Sequence, residues 1–114
     1  MHELSVCQSM LQQIEDIARQ HNAIAVTSVR VQIGPLSGVD AELLSHAFPI
    51  AVAGTVAEHA TLVVETLPIR IRCEQCNTES TASANRLICG NCGDWHTHLV
   101  SGDELLLASL ELDK

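Results

Sequence analysis

The chain has no tyrosine, one phenylalanine and one tryptophan among its 114 residues. Proteins that hold single-stranded nucleic acid stack bases on aromatic rings, and that platform is missing. Positive charge is scarce as well: six Lys and Arg stand against fourteen Asp and Glu, a formal net charge of −8. A phosphate-binding surface needs a basic patch, and the only clustered bases are Arg70, Arg72 and Arg86. No run approaches the ~18 apolar residues of a membrane helix, so no membrane partner is expected. The start carries Glu3 and no basic n-region, which does not fit an export signal. No nucleophile–base pair, Gly-rich phosphate loop or catalytic metal motif is present. These absences point to a binding protein rather than an enzyme, with no nucleic-acid partner and a cytoplasmic location.

What the chain does have is cysteine in pairs. Cys73-Glu74-Gln75-Cys76 is followed, twelve residues on, by Cys89-Gly90-Asn91-Cys92. Two CxxC pairs at this separation suit a tetrahedral four-cysteine zinc site, because each two-residue spacer lets one tight turn aim both thiolates at a single ion. Asn77 and Gly93 follow the pairs, and both tolerate the positive φ that turns backbone N–H groups toward sulfur. Four thiolates close the shell, which makes such a zinc structural rather than catalytic. Two disulfides are the competing reading; Cys7 is then left over, and no export signal supports it. A rubredoxin-like iron site is another, and colour separates the two metals, since ferric thiolate is red and zinc is colourless. The stretch has few large apolar residues, chiefly Leu87, Ile88 and Trp95, so metal binding must supply its folding energy.

Periodicity organises the remainder. Leu4, Cys7, Leu11, Ile14 and Ala18, widened by Met10 and Ile17, predict an amphipathic helix over 4–20 that ends at His21-Asn22. Cys7 falls on its apolar stripe and reads as a buried core thiol. Ala25 to Ile33 alternates, with Val29, Val31 and Ile33 on one face, and predicts a strand. Ser37 and Asp40 resemble a capping box before a second helix, in which Pro49 should kink or end the helix near Phe48. Thr61 to Leu67 and Leu105 to Leu112 predict two more strands, the last with Leu106, Ala108, Leu110 and Leu112 on one face. These two strands are expected to pair antiparallel at the base of the metal stretch. The expected fold is α+β: two helices on a three-stranded, mostly antiparallel sheet, with a four-cysteine zinc-ribbon-like lobe inserted before the last strand. Residues 1–69 and 99–114 would form the α/β domain and 70–98 the zinc-binding domain.

The terminus has a chemistry of its own. His2 is too large for removal of Met1, so a free α-amine precedes an imidazole by one residue. The amine of Met1, the His2 amide and side chain, and the next amide make a compact nitrogen set. Square-planar nitrogen coordination suits Ni(II) or Cu(II) rather than zinc. His96 and His98 sit just past Cys92 and read as loop histidines that hydrogen-bond near the zinc turns. His21, His46 and His59 read as surface residues.

The Met-His-Glu-Leu-Ser start, the two CxxC pairs after the second strand and the Ser-Gly-Asp-Glu-Leu run before the last strand together resemble the HypA/HybF family of hydrogenase nickel-incorporation proteins. The resemblance covers essentially the whole chain. It implies that His2 is a nickel ligand, with Glu3 in the same site, and that Cys73, Cys76, Cys89 and Cys92 hold zinc. Asp40, after Gly-Pro-Leu-Ser-Gly-Val, sits where relatives carry an acid and is a further candidate for the nickel site. Pro49 has no counterpart in the family pattern. The implied role is delivery of Ni(II) to the hydrogenase large subunit precursor during [NiFe]-hydrogenase maturation, together with the pathway's GTPase; a homodimer is compatible with it. The alternative function is a zinc-ribbon module for nucleic-acid binding or transcription, against which the acidic charge and missing aromatics weigh.

Overall fold

The computed structural model describes residues 2–114, apart from the side chain of His2. Its elements run α1 (His2–Gln20), β1 (Ala25–Ile33), α2 (Ala41–Val52), β2 (Thr61–Thr66), β3 (Ile69–Cys73), β4 (Glu79–Ala82), β5 (Thr97–Ser101) and β6 (Leu105–Asp113). They form two three-stranded sheets, ordered β2-β1-β6 and β4-β3-β5. The architecture is α+β, with the four-cysteine lobe lying in sequence between β2 and the last strand. The chain divides into two compact units.

The first unit takes the chain up to Val31, Val39–Glu65 and Leu106–Lys114. α1 starts at His2, two residues earlier than periodicity predicts, and its buried stripe is Glu3, Cys7, Met10, Ile14 and Ala18. Leu4, expected on that stripe, is 39% exposed. At ~100° per residue, Glu3 lies nearer the midline set by Cys7, Ile14 and Ala18 than Leu4 does. The helix ends in a Schellman motif. Asn22 adopts φ 54, Ala23 N–H donates to Ala18 O at 2.9 Å and Asn22 N–H to Arg19 O at 3.2 Å, which satisfies carbonyls the helix would leave open.

α2 is capped by Asp40, whose side chain accepts from the N–H groups of Glu42 and Leu43. The expected cap at Ser37 is not used, because Asp40 immediately precedes the first helical residue, where a carboxylate reaches the second and third N–H groups. Nor does Pro49 stop the helix, which continues to Val52. Leu44, Phe48 and Val52 are all buried on one face, and burial of that stripe outweighs the lost backbone bond at Pro49. α1 and α2 pack on each other, and the Cys7 thiol lies 3.8 Å from the Leu44 carbonyl oxygen.

β1 buries Val26, Val29, Val31 and Ile33 and takes the centre of its sheet, so β2 and β6 flank it and do not pair with each other as expected. A strand with so many buried positions needs neighbours on both edges, whereas β2 and β6 have no fully buried residue. In β6 the alternation breaks at Ala108–Ser109, leaving Leu106 47% exposed while Leu110 and Leu112 stay half-buried.

The second unit is Gln32–Gly38 with Thr66–Leu105. The sequence assigns it no strands beyond the ends of its neighbours, yet β3 pairs antiparallel with both β4 and β5. Ile69, Ile71 and Cys73 are buried along one face of β3, and Arg70 and Arg72 bind Glu79 on the paired strand at 3.7 and 2.8 Å. The Gly34–Leu36 turn joins this unit through Gly34 N–H to Glu104 O at 2.8 Å and Leu36 N–H to Gly102 O at 2.7 Å. That approach requires glycine: a Cβ on Gly34 would collide with the Gly102 carbonyl.

Candidate metal centre

The four cysteines arise from two copies of one backbone device. In the first turn, the N–H groups of Gln75 and Cys76 point at Cys73 Sγ from 3.3 and 3.5 Å, and Asn77 N–H closes the turn on Cys73 O at 3.0 Å. In the second, Asn91 and Cys92 N–H groups point at Cys89 Sγ from 3.3 and 3.4 Å, and Gly93 N–H closes on Cys89 O at 3.0 Å. The residues after the turns, Asn77 and Gly93, have φ 60 and 78, as their residue types predict. The first turn leaves β3 at Cys73. The second is braced by Cys89 N–H to Asp94 O at 2.9 Å and by Gly90 N–H to Ser80 Oγ at 3.0 Å.

The two turns face each other. Cys73 Sγ lies 3.5 Å from Cys92 Sγ, Cys76 Sγ lies 3.6 Å from Cys89 Sγ, and all four sulfurs fall within 4.8 Å of one another. All five cysteines of the chain are free thiols, so the two-disulfide reading does not hold. Tetrahedral Zn–S bonds of ~2.3 Å need sulfurs about 3.8 Å apart, and the donor set fits such an ion.

Their acidities show why the set calls for a cation. Cys76 is brought down to about 6 by hydrogen bonds from the Thr78 hydroxyl and the Asn91 amide. Cys89 is lowered by the Cys92 and Asn91 N–H groups. At Cys92 the Asp94 N–H favours the thiolate, but the Cys73 contact, desolvation and the other two thiols outweigh it and push the group up to about 12. Four thiolates this close oppose one another, and a dication at their centre removes that opposition.

Both histidines of the lobe pair with carboxylates. His96 Nδ1 lies 2.6 Å from Asp94 Oδ1 and His98 Nε2 lies 2.6 Å from Glu74 Oε1. Neither histidine joins the group of potential metal donors among the described residues. Trp95, expected in the lobe's core, is 71% exposed and stacks on His96 at 3.8 Å between ring centroids. The core is made instead by Ile69, Ile71 and the buried cysteines 73 and 89.

The other expected site lies at the start of α1. Met1 and the His2 side chain fall outside the described residues. Glu3 is 8% exposed, and its Oε2 accepts the Asp40 N–H at 3.2 Å. That bond, then one from its own backbone N–H, holds the Glu3 carboxyl below its ordinary range. Asp40 Oδ1 accepts from Glu42 and Leu43 N–H at 2.9 and 3.1 Å. Glu3 and Asp40 are therefore brought together across 37 residues of chain. Sequence reading named both residues but missed their bond; the signal was Glu3's spacing of four from Cys7, which places it on the buried stripe.

A two-unit α+β protein with a convergent four-thiol cluster is a metal-binding protein, and comparison with known proteins narrows that class. The family model described as hydrogenase/urease nickel incorporation, metallochaperone, hypA matches residues 1–112. The hydrogenase maturation factor HypA of Nitrosospira multiformis is 49% identical over 112 residues, covering 98% of this chain and 97% of the relative. That of Aquifex aeolicus is 46% identical over 113 residues, covering 99% and 98%. The solution structure of the Ni metallochaperone HypA from Helicobacter pylori aligns with a TM-score of 0.70 at 26% identity over 97% of both chains. The chain belongs to the HypA family of hydrogenase nickel-incorporation metallochaperones.

Proposed function

We propose that this chain binds Ni(II) at its N-terminus and delivers it to the hydrogenase large subunit precursor during [NiFe]-hydrogenase maturation, in concert with a nickel-handling GTPase. It acts by binding and release in the cytoplasm rather than by catalysis. The observation that carries this reading is the bond between the Asp40 N–H and the Glu3 carboxylate, which brings two of the candidate nickel residues together. It ties the first turn of α1 to the N-cap of α2. The His2 amide supports it too. It falls among the first four N–H groups of α1, which have no intrahelical acceptor, and a nitrogen donor suits a metal that prefers nitrogen in a square plane. The reading makes His2 the principal ligand, with the Met1 amine, Glu3 and Asp40 as further donors.

The four cysteines would hold zinc as a closed structural shell. A cargo site on short terminal groups and a resident site of four thiolates divide the work between transfer and folding. The test is metal analysis of untagged protein followed by nickel titration. One colourless resident metal per chain with one nickel bound, and no nickel bound by His2→Ala, is the expected result. A red resident metal would identify iron, and failure of the wild type to bind nickel would overturn the delivery role.

A further inference from the structure

The four sulfurs of the lobe are not equally guarded. Cys73 and Cys89 are buried. Each accepts two N–H groups of its own turn, at 3.3 and 3.5 Å for Cys73 and at 3.3 and 3.4 Å for Cys89. Cys76 is half-buried. It takes the Thr78 hydroxyl and N–H and, at 3.6 Å, the Asn91 side-chain amide. Cys92 is the exposed one, and its backbone support is the Asp94 N–H alone. The asymmetry follows from the turns. The first sulfur of each sits under the N–H groups that follow it, the second lies at the exit, and only Cys76 draws a side-chain amide from the facing turn. Across the turns Cys92 Sγ meets Cys73 Sγ at 3.5 Å.

We propose that Cys92 is a modification site: the thiolate of the filled shell that a hydroperoxide attacks first, with Cys73 closing a disulfide on it. The assignment rests on the closed four-thiolate shell proposed above. A thiolate reacts where an oxidant can reach it and where few donors draw on its lone pairs, and Cys92 meets both conditions. Its weak acidity as a free thiol does not protect it. In a filled shell every ligand is a thiolate, and the more basic thiolate is the stronger nucleophile. With hydrogen peroxide, Cys92 Sγ bonds to one oxygen, the O–O bond breaks, and hydroxide leaves a sulfenic acid behind. The Cys73 thiolate then attacks Cys92 Sγ. The S–S bond forms, the S–O bond breaks, and a second hydroxide leaves. The two sulfurs give up two electrons, one peroxide accepts them, and solvent protonates both hydroxides. Cys76 and Cys89 are left as the remaining donors, too few for a tetrahedral ion.

The test uses untagged full chain with its resident metal, whose content is measured first. One equivalent of hydrogen peroxide is added, dimedone traps sulfenic acid in one aliquot, and a chromogenic chelator follows metal release in another. Cys92 should take about fivefold or more label than any other cysteine, and metal should leave as a pair of thiols disappears. Trypsin cuts after Arg72 and Arg86. A Cys73–Cys92 disulfide therefore joins two peptides, one inside either turn stays within a single peptide, and fragmentation tells Cys73–Cys92 from Cys76–Cys89. Asn91→Ala strips Cys76 of its side-chain donor and should raise the Cys76 share of the label about threefold; a fixed share would overturn the argument from donors. In the wild type, first label on Cys73, Cys76 or Cys89, or a disulfide within one turn, would overturn the assignment. So would oxidation of Cys7 with the metal retained. A chain without resident metal fails the shell reading and this inference with it, whereas a metal-loaded chain labelled elsewhere fails this inference alone.

Discussion

Glu3 occupies a place on α1 that the apolar stripe would give to a hydrophobic residue, and its carboxylate is committed to the Asp40 N–H. Its pKa is lowered from an ordinary value of 4.5, chiefly by that bond. A carboxyl whose folded value is depressed stabilises the fold fully above its unfolded value and loses that contribution as pH falls through the lower folded one. We expect wild type to lose stability below about 4.5 more steeply than Glu3→Gln. Acid titration of the two proteins by circular dichroism checks this, and parallel curves would refute it. Asp40 carries two roles that one pair of variants separates. Asp40→Ala removes the acceptor for two helical N–H groups and should cost about 1 kcal/mol in urea unfolding. Asp40→Asn keeps the acceptor and should restore most of that stability while still weakening nickel if the carboxylate is a ligand.

The two cysteine turns and β3 stand or fall together, because Cys73 is at once the end of the strand and the first sulfur donor. We expect Cys73→Ala or Cys92→Ala to disorder residues 70–98 and to leave α1 and α2 formed, since Ile71 is the only large buried aliphatic side chain in that stretch. Trp95, the single tryptophan, lies in this segment, so its emission should change while helical circular dichroism does not. A Cys73→Ala protein with unchanged Trp95 emission and protected lobe amides would show that the strands need no metal. The turns were legible in the sequence because metal geometry dictates spacing and positive φ residue by residue, down to Asn77 and Gly93. The helical stripes were legible because burial repeats. β4 was not: four residues, Glu79–Ala82, are too few to show a period. β5 was not, because His98, Leu99 and Val100 are exposed in succession on an edge strand and nothing alternates. Pro49 misled for a related reason: local propensity argues for a break, and the buried Leu44–Phe48–Val52 stripe is a tertiary fact.

Across the whole chain, the proposed nickel donors and the four thiols belong to different compact units, Glu3 and Asp40 to the first and the cysteines to the second. Binding at one should therefore be separable from binding at the other. His2→Ala should abolish nickel binding while leaving resident metal content and helicity unchanged; equal loss of both metals would sink the two-site reading. The terminal amine gives a sharper expectation. An α-amine of pKa ~7.7–8.0 and an imidazole of ~6.5 must both shed protons to bind. Nickel binding should then weaken as pH falls from about 7.5 toward about 6, because protons compete for both donors in that window. The four thiolates should keep their metal to lower pH, since a closed shell surrenders one donor at a time while three others hold the ion. Even a few residues fused ahead of Met1 would turn the amine into an amide and take His2 from the chain end. They should weaken nickel binding sharply and leave α1 intact, as circular dichroism would report. Nickel titrated into tagged and cleaved protein side by side, with His2→Ala as the blank, decides it. Equal affinity of tagged and cleaved protein would remove the amine from the ligand set and leave the site to the His2 side chain with Glu3 and Asp40.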